Sequence, residues 1–199
     1  MSLTQAGRRH DTRGVMALTT VSAAIRDRFL EEWLACTLGT YPDETSRFLR
    51  EQPDPFRNPV GHTLEASLRG LTAELFGGFD RARVTAWLDA VVHLRAVQDF
   101  SPADAVGFVA LARRAADRVV EKGSPGVEPV ALDVLGTRID DMVLIAAGLL
   151  DRCREEIQAI GARAARRRVF VLERAQARTE ARAAATGGAA WPVPRGEIP

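Results

Sequence analysis

The fold is decided by the stretch Leu94-Arg-Ala-Val-Gln-Asp-Phe-Ser-Pro-Ala-Asp-Ala-Val-Gly-Phe-Val109, in which one helical pattern ends and another begins. Ser101 supplies a side-chain oxygen that can cap a helix, and Pro102 follows at the first helical position, where a missing N–H costs nothing. Asp104 lies three residues after the serine, in the first turn of the new helix. These residues predict a helix junction, whatever the protein does.

Three polar residues just before the junction are not explained by this capping chemistry. Arg95, Gln98 and Asp99 lie close together at the end of the preceding helix. They form a candidate signalling or ligand-binding corner. In the alternative interpretation they only satisfy one another and the backbone at the junction, and the sequence leaves both interpretations open.

The rest of the chain shows helical spacing and no strand pattern. Apolar residues recur every three or four residues, which is the signature of amphipathic helices. Cap and turn residues divide the pattern into helices that begin at or near Leu18, Asp43, Asn58, Asp80, Ser101 and Val130. The expected fold class is therefore all-α.

The last of these helices carries a seam of the coiled-coil type. Its apolar positions follow alternating four- and three-residue steps, at Leu135, Ile139, Met142, Ala146, Leu149 and Cys153. A helix of about 30 residues would reach about 45 Å, which is longer than a small core needs. We therefore expect this seam to pair with a second subunit or to transmit a signal.

Composition places the chain among ordinary globular proteins. Its 46% hydrophobic and 27% charged residues allow a core without metal or disulfide support. The net charge of +1 gives no overall reason to expect nucleic acid or an acidic partner. The longest apolar run, Met142 to Leu150, is too short to cross a membrane, and the N-terminus is a poor signal peptide. A cytoplasmic protein without membrane insertion is expected.

Three regions are expected along the chain. Residues 1–16 are predicted to be a disordered polar arm, and the sequence leaves open whether Met1 or Met16 is the true start. Residues 17–160 form the predicted helical domain. Residues 161–199 are predicted to be an arginine- and alanine-rich helical extension followed by a disordered tail rich in glycine and proline.

A search for catalytic motifs favours a protein that is not an enzyme. Phosphate-binding glycine loops, zinc-protease motifs and nucleophile–base pairs are absent from the sequence, so no catalytic or metal-binding residue is predicted. No cofactor is expected either, although His93 and His62 are candidates for a haem ligand in a helical protein. Nucleic acid is not an expected partner, because Glu173 and Glu180 dilute the arginine-rich segment and no aromatic ladder accompanies it.

Several short segments resemble one known family. They are Phe56-Arg-Asn-Pro-Val-Gly61, Leu94-Arg-Ala-Val-Gln-Asp-Phe-Ser-Pro102 with Ala105-Val-Gly-Phe-Val109, and Arg138-Ile-Asp-Asp141 followed by Asp151-Arg-Cys-Arg-Glu155. From about Val21 to Ile160 the chain is similar to the N-terminal sensor domain of the RsbRD type, from the RsbT co-antagonists of the bacterial stressosome. The resemblance implies a globin-like helical sensor domain, commonly without haem, that dimerises and signals through its last helix in the stress response.

The chain departs from the usual plan of that family after Gly161, where no pattern of a STAS domain follows. It resembles the stand-alone versions of the domain, which implies a homodimeric regulatory protein that acts on an unknown regulatory partner. Two alternatives stay open. One is a sensor that binds haem or another tetrapyrrole, and the other is an adaptor or assembly factor for a redox complex of sulfur metabolism, docked through its arginine-rich segment.

Overall fold

The fold is built from helices alone, and the computed structural model describes residues 14–121 and 128–187. A short helical segment at 14–19 precedes the main helices. These are α1 (Ala23–Leu38), α2 (Asp43–Glu51), α3 (Pro59–Phe76), α4 (Arg81–Val97), α5 (Pro102–Glu121) and α6 (Pro129–Gly187). Since no strand occurs in this described part, the predicted all-α class is confirmed.

Side chains cap three of the helices at the predicted positions. The Asn58 side chain accepts a hydrogen bond from the Gly61 N–H at 2.8 Å and so begins α3. Its amide group also donates to Leu49 O at 2.9 Å, which fixes the end of α2 against the start of α3. Asp80 caps α4 in the same way, and Ser101 Oγ accepts from the Asp104 N–H at 3.2 Å at the start of α5.

One predicted helix start and one predicted capping residue are wrong. The first helix does not run on from Leu18, because Ser22 is extended and caps a new helix through the Ile25 N–H. Asp43 is not the cap of α2, since it already lies in the first turn and Pro42 occupies the capping position without a side-chain bond. In both places local turn geometry, which apolar spacing does not report, sets the boundary.

The core lies where α1 packs between α3 and α5. Trp33 is fully buried, and its indole N–H donates to Phe108 O at 2.7 Å, which joins α1 to α5. The Phe29 ring lies 5.7 Å from that of Trp33 and 5.2 Å from that of Phe76, so aromatic contacts join α1 to α3. Leucines and valines of α3 and α4 fill the remaining space.

The last helix is longer than predicted, since α6 has 59 residues rather than about 30. The chain divides into two compact units, one ending at Arg154 and one beginning at Glu155. In the described residues, no helix is both long and apolar enough to cross a bilayer.

The predicted N-terminal arm and C-terminal extension are only partly covered by the described residues. Residues 14–16 of the predicted arm are helical, and so are residues 161–187 of the extension. Residues 1–13, 122–127 and 188–199 lie outside the described residues.

The apolar spacing of α4 predicts one core-facing stripe, at Val84, Trp87, Leu88, Val91, Leu94 and Val97. Trp87 departs from this prediction, because its side chain is partly exposed. Its ring lies over Gly70 of α3, where a Cβ atom would overlap the indole. Val97 of the same predicted stripe is also exposed. The close approach of α3 and α4 at this point therefore requires a glycine.

The variant Gly70→Ala tests this contact. We expect it to lower the free energy of unfolding by about 1–2 kcal/mol, because the added methyl group must displace the Trp87 ring. Gly107→Ala in α5 is the matched control, because no atom lies within 4 Å of its added Cβ. Helix propensity should raise the stability of that variant by about 0.5–1 kcal/mol. Urea unfolding measures the free energy of unfolding of both variants. Equal stabilisation of the two variants would contradict a tight contact between Trp87 and Gly70.

Candidate functional site

The predicted corner is organised around Arg95, which is fully buried near the end of α4. Its guanidinium donates from Nη1 to Asp104 O at 2.8 Å and from Nη2 to Thr40 Oγ1 at 2.9 Å. A longer contact, 3.4 Å, joins Nη2 to Thr37 O in the last turn of α1. One side chain of α4 thus fastens the end of α1 to the start of α5.

Three aromatic rings surround the same guanidinium. Its carbon atom lies 4.8 Å from the ring centre of Phe100, 5.2 Å from that of Phe108 and 5.4 Å from that of Tyr41. Ring faces attract a cation, and the attraction is stronger where water is excluded. We call Arg95 and its partners Thr37, Thr40, Tyr41, Phe100 and Phe108 the Arg95 cluster.

The Arg95 cluster holds its positive charge without forming an ion pair. Arg95 makes no salt bridge among the described residues, and its hydrogen-bond acceptors are two carbonyl oxygens and a hydroxyl. The carbonyls at the end of α1 supply the negative end of a helix dipole, which offsets part of the cost of burial. Two polar atoms in the cluster, Arg95 Nε and Thr37 Oγ1, are buried without a hydrogen-bond partner.

Burial also shifts the titration of the cluster. It lowers the pKa of Arg95, although Tyr41 and then Asp104 act in the opposite direction. It raises the pKa of Tyr41, and the charge of Arg95 offsets part of that rise. Both shifts follow from the removal of water around groups that would otherwise be charged more easily.

Gln98 is connected to the cluster, whereas Asp99 is not. Gln98 is exposed at the end of α4, and its Oε1 accepts a hydrogen bond from the Tyr41 hydroxyl at 3.1 Å. Asp99 is exposed with a φ of 58°, and its N–H donates to Ala96 O while the next N–H donates to Arg95 O. This is the backbone pattern of a helix end with a left-handed residue, a conformation that Asp adopts more readily than most residues. The geometry therefore gives Asp99 a backbone role.

The sequence did not point to the residues that complete the cluster. Thr37 comes from the last turn of α1, and Thr40 and Tyr41 come from the turn after it, all more than 50 positions before Arg95. No local motif links a turn to a residue so distant in the chain. An arginine placed at a four-residue step among apolar residues, after Val91, was the one available signal.

A second buried arginine, Arg138 of α6, closes the end of α3. Its Nη1 donates to Leu75 O at 2.5 Å and to Gly77 O at 2.9 Å. The guanidinium lies 5.4 Å from the ring centre of Phe79, which has a φ of 54°. In the sequence Arg138 is part of a family-like motif, and no local pattern indicates this capping role.

The predicted seam of α6 lies inside the core of its own unit. All six residues are buried, namely Leu135, Ile139, Met142, Ala146, Leu149 and Cys153. In this packing they are covered by other helices of the same chain and do not face a second subunit. A surface for a partner must therefore use other residues.

The two histidines that were candidates for a haem ligand both lie on the surface. His62 borders an open groove of about 410 Å³ beside Trp87, and the Nδ1 of His93 lies 3.4 Å from Cys153 Sγ. A small cavity of about 20 Å³ in the interior is lined by apolar side chains and by neither histidine. These surroundings do not provide an apolar cleft with an inward-facing imidazole, so they do not fit an axial haem ligand. Within the described ranges no three metal-ligating side chains come together.

Residues 27–168 match the RsbT co-antagonist protein rsbRD N-terminal domain family. The chain belongs to this family. The resemblance predicted from the short motifs is thereby confirmed. Neither the curated proteins nor the solved structures gave a match, and the globin-like arrangement implied by the resemblance stays a prediction.

The rsbRD N-terminal family consists of regulatory sensor domains of stress signalling. The matched range contains most of the Arg95 cluster's supporting helices and reaches into the exposed part of α6. The Arg95 cluster and the beginning of the exposed part of α6 therefore lie within the residues that match the family.

The variant Arg95→Met tests how much the fold depends on the cluster. Methionine keeps an unbranched side chain but donates no hydrogen bond, so Asp104 O and Thr40 Oγ1 lose their donor. We expect the free energy of unfolding to fall by about 3 kcal/mol or more. Arg114→Met, at an exposed position of the adjoining helix α5, should change it by no more than about 0.5 kcal/mol. Equal effects in urea unfolding would show that Arg95 is not a special interior residue.

Tyr41 gives a direct spectroscopic test, because it is the only tyrosine of the chain. Its raised pKa means that tyrosinate absorbance in the folded protein should grow at higher pH than in urea, where the midpoint is about 10. The folded pKa exceeds the unfolded one, so the contribution to stability is complete below about pH 10 and is lost as the pH rises through the folded pKa. Tyr41→Phe should remove the part of the loss of folding stability at high pH that comes from ionisation of the Tyr41 phenol. Coincident folded and unfolded titrations would contradict burial of the phenol.

Proposed function

We propose that the protein is a non-enzymatic regulatory sensor of the cytoplasm that acts through protein–protein contacts. In this proposal it forms a homodimer and passes its signal through α6 to a regulatory protein partner. Membership of the rsbRD N-terminal family supports the regulatory role. Homodimer formation, the partner and the direction of the signal are parts of the proposal.

The observation that carries the proposal is the exposed second part of α6. The four- and three-residue steps that bury the seam up to Cys153 continue with Ile157 and Ile160. Both isoleucines are exposed, and so are Val169, Phe170 and Leu172 farther along. An exposed group of large apolar side chains on one helix is typical of a surface that another protein covers.

The Arg95 cluster is the proposed sensing corner. It joins the end of α1, the end of α4 and the start of α5, so a change there alters the packing of three helices together. Two of its polar atoms, Arg95 Nε and Thr37 Oγ1, are buried without a hydrogen-bond partner. The cluster is therefore less stable than one in which every buried polar atom is hydrogen-bonded. Gln98 reaches the surface and contacts Tyr41, which gives the cluster an exposed end.

The partner contact is tested by crosslinking in the native host with the tagged full chain, followed by mass spectrometry. The unsubstituted chain should retain one specific regulatory protein, and Ile157→Asn with Ile160→Asn should lose it. Gln158→Asn with Ala159→Asn is the matched control, because these exposed residues lie between the two isoleucines and leave them intact. Equal recovery with all three chains would contradict a signal surface at Ile157 and Ile160.

Coupling between the cluster and α6 is tested by hydrogen exchange. Arg95→Lys keeps the charge but cannot make the same forked contacts. We expect faster exchange of residues 155–175 in this variant than in Arg114→Lys, which changes an exposed arginine in the same way. Unchanged exchange of α6 beyond residue 154, in a folded variant, would separate the cluster from signalling.

A further inference from the structure

The first unit and the second part of α6 carry opposite net charge. Residues 14–121 and 128–154 contain 20 acidic residues, of which Glu74 is buried, and 15 arginines, of which Arg95 and Arg138 are buried. Residues 161–187 contain seven arginines and two glutamates, so this part of the helix is basic. The surface of the first unit is therefore acidic, and the second unit offers a complementary charge.

The acidic residues of α6 form an ordered stripe in the first unit. Opposite the buried seam, exposed residues follow one another in steps of four and three, at Asp133, Thr137, Asp140, Leu144, Ala147 and Asp151. This spacing places them on one face of the helix. Leu144, at 73% exposure, is the one large apolar residue of this acidic stripe.

The basic residues form a similar stripe in the second unit. Arg163, Arg167, Phe170, Arg174 and Arg178 follow steps of four and three, and all are exposed. Phe170, at 60% exposure, is the large apolar residue of this basic stripe, and the guanidinium of Arg174 lies 5.9 Å from its ring centre. Glu173 points about 100° away from Arg174 and about 60° away from Phe170, so it borders the basic stripe on one side.

The charges of the two stripes are spaced alike around their apolar residues. In the acidic stripe Asp151 comes seven residues after Leu144 and Asp140 comes four before it. In the basic stripe Arg163 comes seven residues before Phe170 and Arg174 comes four after it. An antiparallel pair of helices with Phe170 against Leu144 therefore places Arg163 opposite Asp151 and Arg174 opposite Asp140.

We propose that the basic stripe of one copy docks antiparallel on the acidic stripe of a second copy, with Phe170 packed against Leu144. The contact would cover two exposed apolar side chains and pair opposite charges on both sides of them. Asp140 already accepts from Arg113 through Oδ1 at 2.6 Å, and its second oxygen is free to accept from Arg174. The proposal rests on the homodimer of the proposed function and assigns its surface.

The test is a charge swap in the full chain, followed by light scattering at low salt. Arg163→Glu with Arg174→Glu should raise the dissociation constant of the dimer on the order of tenfold or more, because like charges then face each other. Asp140→Arg with Asp151→Arg should do the same. An equimolar mixture of the two variants should form dimers as tight as those of the unsubstituted chain, which also shows that both variants are folded.

The matched control reverses a single arginine of the same helix that lies off the basic stripe. Arg168 is exposed and lies two residues before Phe170, about 160° around the helix. Arg168→Glu should leave most of the dimer intact, whereas Arg174→Glu alone, which changes the net charge equally, should weaken it. Raised salt should weaken the unsubstituted dimer, since exposed charge pairs are screened.

Three results would overturn the proposal. A dimer that survives both charge-reversed variants would reject this surface and leave the homodimer in place. Two monomeric variants that fail to associate when mixed would reject the pairing of the stripes. A chain that stays monomeric at low salt but shifts duplex DNA in a gel would assign the basic stripe to nucleic acid, whereas the partner contact at Ile157 and Ile160 would still be tested separately by crosslinking.

Discussion

The burial of one positive charge, that of Arg95, constrains the arrangement of the surrounding helices. A guanidinium without an ion pair is stable in the interior only if other groups accept its hydrogen bonds and stabilise its charge. Those groups come from three places, the turn after α1, the start of α5 and the ring faces of Tyr41, Phe100 and Phe108. The Arg95 guanidinium therefore fixes the position of each of these acceptors and rings. If one of them moves away, the buried charge loses part of its stabilisation.

The same solution is used at the end of a second helix. Arg138 donates to carbonyl oxygens at the end of α3, as Arg95 contacts a carbonyl in the last turn of α1. Arg138 supplies a donor to carbonyls at its helix end, whereas Thr37 O also accepts hydrogen bonds from the Thr40 N–H and hydroxyl. Both guanidinium groups lie at the negative end of a helix dipole. Two of the arginines of the first unit are therefore buried and do not contribute positive charge to its surface. The excess of acidic side chains on that surface follows partly from how the interior is stabilised.

Sequence patterns predicted what depends on neighbours along the chain and missed what depends on distant contacts. The caps at Asn58, Asp80 and Ser101 were predictable because each cap bonds to backbone N–H groups two or three residues away. The all-α class followed from apolar spacing for the same reason. Periodicity could not tell which helix would cover the seam of α6, so an interior face was interpreted as a surface for a second subunit. Tyr41 and Thr40 were missed because no local rule connects them with Arg95.

In the first unit α6 has two opposite faces, a buried apolar seam and an exposed acidic stripe. Up to Cys153 the core covers the apolar stripe of α6, so in the first unit only the opposite face of the helix is available for a partner. In the first unit that face is acidic with a single large apolar side chain, Leu144, which is too little apolar area for stable association in water. In the proposed dimer, charge must therefore provide both affinity and register. The antiparallel spacing of Asp140 and Asp151 against Arg174 and Arg163 meets that requirement, because a slip of one residue would rotate the charged side chains by about 100° and separate the pairs.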